Sequence, residues 1–133
     1  MIFLDTSAVV AMLAREADGP SLADKLEGAD ERITAGHVIL ESAMRLSTLF
    51  HISPSAADTR VTALLRESSV DVVPITEAIA HGAVTAFERY GKGSKHRASL
   101  NFGDCLSYAC AKAHGAKLLF KGEDFVHTDV ARA

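Results

Sequence analysis

Four short runs, Ile2–Leu4, Arg32–Thr34, Val70–Val73 with Ile75, and Lys117–Phe120, read as strands, all but the second mostly apolar, and stretches of helical spacing separate each from the next. A strand wetted on one face alternates apolar and polar residues, so runs such as IFL and KLLF ask for cover on both faces. Strands that alternate with helices pair in parallel through right-handed crossovers. The expectation is an α/β fold with a short central parallel β-sheet flanked by helices on both faces. With 133 residues, 48% of them hydrophobic, and only three prolines, the chain is the size of one ordinary domain. Residues 1–133 are therefore read as a single domain with one core and one site.

The helical stretches have their own punctuation. Thr6 and Ser7 are candidate N-caps for Ala8–Leu13, and Gly19-Pro20 opens a helix with Leu22 and Leu26 inward. From His37 to Phe50 the spacing puts Ile39, Ala43, Leu46 and Phe50 inward. Pro54 then opens a helix that buries Ala57, Val61, Leu64 and Leu65. Thr76 caps a helix with Ile79, Ala83, Ala86, Phe87 and Tyr90 inward, ended by Gly91. Asp104 starts the last helix, with Leu106, Ala109, Cys110 and Ala113 inward and Gly115 past its end. Cys105 and Cys110 sit on different faces of that helix and read as buried free thiols. The apolar N-terminal run lacks a basic leader and is interrupted by Asp5, and no stretch reaches the roughly 18 apolar residues of a membrane span. A cytoplasmic protein without a membrane partner is expected.

Fourteen Lys and Arg against seventeen Asp and Glu give a net charge of −3, so overall charge cannot hold nucleic acid and any polyanion must meet a local patch. The acids are more telling. In a parallel sheet the strand C-termini share one edge with the N-termini of helices that return antiparallel to them. Asp5 closes the first strand, Asp124 follows the last, Asp104 begins a helix, and Glu41 lies about one turn into the helix after the second strand. Four carboxylates from distant sequence thus converge on the carboxyl edge. Two unit charges about 5 Å apart repel by roughly 3 kcal/mol at an effective dielectric of 20, so the cluster needs protons or a cation. An all-oxygen set suits Mg²⁺ or Mn²⁺, whereas no Cys/His grouping has zinc spacing. Taken singly, Glu41 could pair with Arg45, Asp104 could serve only the helix dipole, and Asp124 could be a plain turn residue.

The segment GKGSK at 91–95 lacks the glycine and the Ser/Thr of a phosphate-binding P-loop. It belongs instead to a basic stretch, Arg89, Lys92, Lys95, His96 and Arg97, with no acid between Glu88 and Asp104. Such a stretch suits contacting phosphates beside the site or simple solvation. No Ser/His/Asp or Cys/His order points to a covalent nucleophile.

FLDTSAVVAML at the start, Glu41 in VILESAMRL, HRASLNFGDCLSYACAKAHGAKLLFKGEDF at 96–125 and the HTDV that follows together resemble the PIN-domain ribonucleases, and among them the VapC-type toxins of type II toxin–antitoxin pairs. The resemblance spans nearly the whole chain. It implies a metal-dependent endoribonuclease using Mg²⁺ or Mn²⁺ held by Asp5, Glu41, Asp104 and Asp124, and products with a 5′-phosphate and a 3′-hydroxyl. It further implies support from Thr6 or Ser7 and Asn101, with Asp129 as the substitute should Asp124 point away. A homodimer, an RNA substrate and a cognate antitoxin are the implied partners. The chief rival is a catalytically inactive binding module whose acidic pocket docks a basic partner segment. A dehalogenase-like phosphatase would need an acid where Ser7 stands, and a receiver domain would need adjacent acids near the end of its first strand.

Overall fold

In the computed structural model, which describes residues 1–133, the chain runs β1 (Ile2–Leu4), α1 (Thr6–Leu13), α2 (Gly19–Glu27), β2 (Arg32–Ala35) and α3 (Gly36–Phe50). It continues through α4 (Pro54–Glu67), β3 (Asp71–Val73), α5 (Glu77–Tyr90), α6 (Phe102–His114) and β4 (Lys117–Leu119). Every strand connection therefore holds two helices. The strands form one parallel sheet in the order β3-β2-β1-β4. All of β1 is buried, so both sheet faces are covered along the centre, as its unbroken apolar run requires. The six helices flank the sheet, and a single core cluster spans them.

This order places a reversal at β1. The chain steps outward through β2 to β3 and then returns to β4 on the far side of β1. Ligands of open α/β sheets bind beyond the strand C-termini where the winding reverses. The crevice next to Asp5 is that place.

The edges are treated differently. β3 is exposed at Asp71 and Val72, whereas the outer edge of β4 is taken by the chain end. There the Leu118 N–H donates to the Ala131 carbonyl at 2.8 Å and the Ala133 N–H to the Leu118 carbonyl at 2.9 Å. Pairing this edge removes a free template for aggregation.

Several expectations need correction. Asp5 itself is the N-cap of α1, its carboxylate accepting the Ser7 N–H, so Thr6 and Ser7 are already helical. In α3 the buried face is Val38, Ser42, Ala43 and Leu46; Ile39 is only half-buried and Phe50 is exposed, under the Arg60 guanidinium at 5.4 Å. Leu64 and Leu106 are likewise half-buried, while Phe87 and Ala113 are exposed. Ile75 lies outside β3, and β4 ends one residue before Phe120. α6 begins at Phe102, capped by Asn101, with Asp104 in its third position. Cys105 and Cys110 are free and buried, as their spacing suggests.

Candidate active site

Asp5 is buried and reaches the crevice because β1 ends one residue earlier, its own N–H bonded to the Leu119 carbonyl at 3.1 Å. One oxygen, Oδ2, accepts the Ser7 N–H at 3.1 Å and the Ser7 hydroxyl at 2.7 Å. Ser7 Oγ in turn accepts the Lys121 N–H at 3.0 Å, which ties the segment after β4 to the end of β1. No hydrogen bond engages the other oxygen of Asp5.

Glu41 arrives from α3. Its Oε1 accepts the Thr6 hydroxyl at 3.3 Å, and no ion pair with Arg45 forms. Burial first, then the charge of Asp5, raises the Glu41 carboxyl above its ordinary value, with Thr6 and Arg45 opposing.

Asp104 comes from the first turn of α6, where it and Asn101 form a capping box. Asp104 Oδ2 accepts the Asn101 N–H at 3.0 Å, and Asn101 Oδ1 accepts the Asp104 N–H at 2.9 Å. Burial pushes the Asp104 carboxyl up to about 7; the Asn101 N–H works against this, and the charges of Asp5, Asp124 and Glu41 add to it. All three of the other expected acids therefore act on this one side chain. Asp124 itself is exposed, in a turn anchored by buried Phe125, whose ring meets Phe120 edge-on at 5.1 Å.

Asp129 is elsewhere. It accepts a very short hydrogen bond from the Tyr108 hydroxyl and pairs with Lys112 at 3.3 Å and Arg89 at 3.7 Å. Tyr108 foremost, then the two cations, lowers its carboxyl. It is spoken for, and of Asp124 and Asp129 only Asp124 acts on Asp104.

The basic stretch divides in the same way. Arg89 is engaged with Asp129 and lies over the Tyr90 ring, while His96 packs edge-on to Tyr90 at 4.8 Å and its Nδ1 accepts the Ala98 N–H. Lys92, Lys95 and Arg97 are exposed and form no ion pair. Their loop is pinched at its base, where the Lys92 N–H meets the Leu100 carbonyl and the Leu100 N–H meets the Tyr90 carbonyl. It thus leaves from Tyr90 at the end of α5 and returns to Leu100, the residue before Asn101.

Sequence reasoning passed over three neighbours. His37 shares a 2.8 Å hydrogen bond with Ser107, and burial lowers its ring against the pull of Asp5. Lys121 pairs closely with Glu16 and, at 3.4 Å, with Asp18, fastening the turn of Asp124 to the α1–α2 corner. Gly103 lies against the Glu41 carboxylate. The first gives no sequence signal; a glycine inside a helix's first turn is the signal for the last.

No three of these side chains close into a ready-made cation shell. Glu41 is turned to Thr6, and one oxygen each of Asp5 and Asp104 is held by its own helix cap, which leaves each carboxylate one oxygen free. As a donor set, four carboxylates and two hydroxyls without a thiolate fit a hard divalent ion.

An acidic, all-oxygen crevice at the reversal point of a short parallel sheet defines the class, and the PIN domain family matches residues 2–131. The chain is 41% identical over 128 residues to the ribonuclease VapC30 of Mycobacterium tuberculosis, covering 96% of this chain and 95% of that one. It is 42% identical over 132 residues to ribonuclease VapC28 of the same organism, covering 99% and 97%. Among solved structures, M. tuberculosis VapC20, a sarcin-ricin loop cleaving toxin, superposes with a TM-score of 0.77 at 19% identity, covering 100% and 98%. A toxin–antitoxin complex from Klebsiella pneumoniae gives 0.74 at 15%, covering 100% and 97%. The chain belongs to the PIN-domain family, as one of its VapC ribonucleases.

Proposed function

We propose that this ribonuclease is a metal-dependent endoribonuclease, the toxin of a type II toxin–antitoxin pair, and that Asp5, Glu41, Asp104 and Asp124 would hold its Mg²⁺ or Mn²⁺. The observation that carries the reading is that Glu41 of α3 is bonded to Thr6, next to Asp5, and lies against Gly103, next to Asp104, so acids far apart in sequence meet at one place. A divalent ion supplies charge neutralisation and an acidified water, the two needs of phosphodiester hydrolysis. The protein's own groups do the positioning. Ser7 holds Asp5, Thr6 holds Glu41, and the capping box holds Asp104, so each carboxylate starts from a fixed place and only small side-chain turns would bring its free oxygen to the ion. Lys92, Lys95 and Arg97 bind RNA phosphates beside the crevice, and attack at phosphorus is in line.

An antitoxin segment carrying cationic side chains is the partner such a crevice accepts. The exposed apolar side chains Leu40, Met44, Val84 and Phe87 support a homodimer, which sedimentation would report as twice the monomer mass. Work on RNA and two unpaired thiols support a cytoplasmic protein. No helix is long and apolar enough to cross a membrane.

RNA cleavage assays on Asp5→Asn and Asp104→Asn test the reading. Both variants fold, because each removes a repelling charge, and both lose cleavage by 100-fold or more, on the order seen when an essential catalytic group goes. Wild-type cleavage that survives exhaustive chelation would contradict the metal; absence of any cleavage would leave the acidic crevice as a docking pocket for a basic segment.

A further inference from the structure

Gly103 is the second residue of α6, and its backbone is not in the left-handed region that reserves a position for glycine. Alanine would be the better helix former there. The reason for glycine lies across the crevice. A Cβ built on Gly103 would stand 2.5 Å from Glu41 Cδ and closer still to both carboxylate oxygens, and these three are its nearest atoms. Real Cβ contacts essentially never fall below 3.0 Å. The obstructed group is the tip of a flexible side chain, so an added methyl would swing Glu41 aside and leave the helix intact. On its other side that tip is held by Thr6 at 3.3 Å.

We infer that Gly103 is a positioning residue: the space left by its missing side chain is the seat of the Glu41 carboxylate, pressed between Thr6 and the first turn of α6 beside Asp104. The seat joins an acid of α3 to an acid of α6, which no hydrogen bond between the two does. Its consequence for the cation rests on the reading of the preceding section.

A double-mutant cycle on the full chain tests it, with Mn²⁺ binding followed by calorimetry and metal-free melting followed in parallel. Gly103→Ala weakens Mn²⁺ binding about 10- to 100-fold, the range for losing a group that orients a metal ligand. In a Glu41→Ala background the same change alters binding by less than about threefold. Metal-free, Gly103→Ala raises the melting temperature by about 2 °C or more in the Glu41→Ala background, where only helix propensity acts, and by less when Glu41 is present. Equal effects in both backgrounds, or failure to fold in both, would overturn the inference. Should the wild-type protein take up no Mn²⁺, the metal reading falls, and the melting comparison alone decides whether Gly103 makes room for Glu41.

Discussion

Asp104 caps its own helix through one oxygen, and its carboxyl is raised first by burial and then by the charges of Asp5, Asp124 and Glu41. Because its carboxyl is pushed up to about 7, the folded protein keeps a proton that the unfolded chain has already released. The stability this confers is complete below about pH 4, where an unfolded aspartate is protonated, and is lost as pH rises through about 7. His37 has the opposite slope: burial lowers it, so its contribution is lost as pH falls through and below its ordinary 6.5. Comparison with Asp104→Asn isolates the carboxyl. The melting temperature of the metal-free wild type, relative to that variant, is expected to fall between pH 5 and pH 8. Saturating Mn²⁺ should reverse the trend by favouring the carboxylate, and a difference that stays flat with pH would contradict the account. Each acid was legible because it stands next to an apolar run or a helix start. The seat of Glu41 was not, since nothing in Gly103 or Glu41 alone shows that they meet.

At the level of elements, strands and helices were read from periodicity with ends displaced by a residue or two, and the misses share a cause. Phe50 and Phe87 look like core residues because large apolar side chains usually are; both are at the surface, where the phase of α3 and α5 is set by Val38, Leu46, Ala83 and Ala86 instead. The capping box of α6 is half visible in the sequence: Asp104 reads as the helix start, whereas it is the third residue of a helix capped by Asn101. Asn101→Ala removes one member of the box and should cost about 1 kcal/mol in urea unfolding. Asn101→Ser should recover most of that, and equal losses for both would show that the amide has a different role. The loop from Lys92 to Ser99 makes a second test. Changing Lys92, Lys95 and Arg97 to alanine removes its three unpaired cations, so RNA binding should weaken and its salt dependence should become shallower. An unchanged slope would make the loop a solvated surface.

On the scale of the whole molecule, the strand order β3-β2-β1-β4 does what no single motif could. It brings the ends of β1 and β4 and the N-terminal turns of α3 and α6 to one side of the molecule, so that the charges of Asp5, Asp124 and Glu41 all reach Asp104. The parallel sheet and its carboxyl edge followed from alternating strands and helices. The direction of the reversal did not, because crossover rules fix handedness but not which edge receives the last strand. Asp129 shows the same limit. It sits five residues from Asp124, and only the course of the chain after β4 sends it to Tyr108 and Lys112 instead of to the acids. The most direct measurement is an anomalous difference map from a crystal soaked in Mn²⁺. The account predicts a peak among Asp5, Glu41, Asp104 and Asp124 with carboxylate oxygens at bonding distance; a fully soaked crystal with no peak there, or with the ion bound only at Asp129, would contradict it.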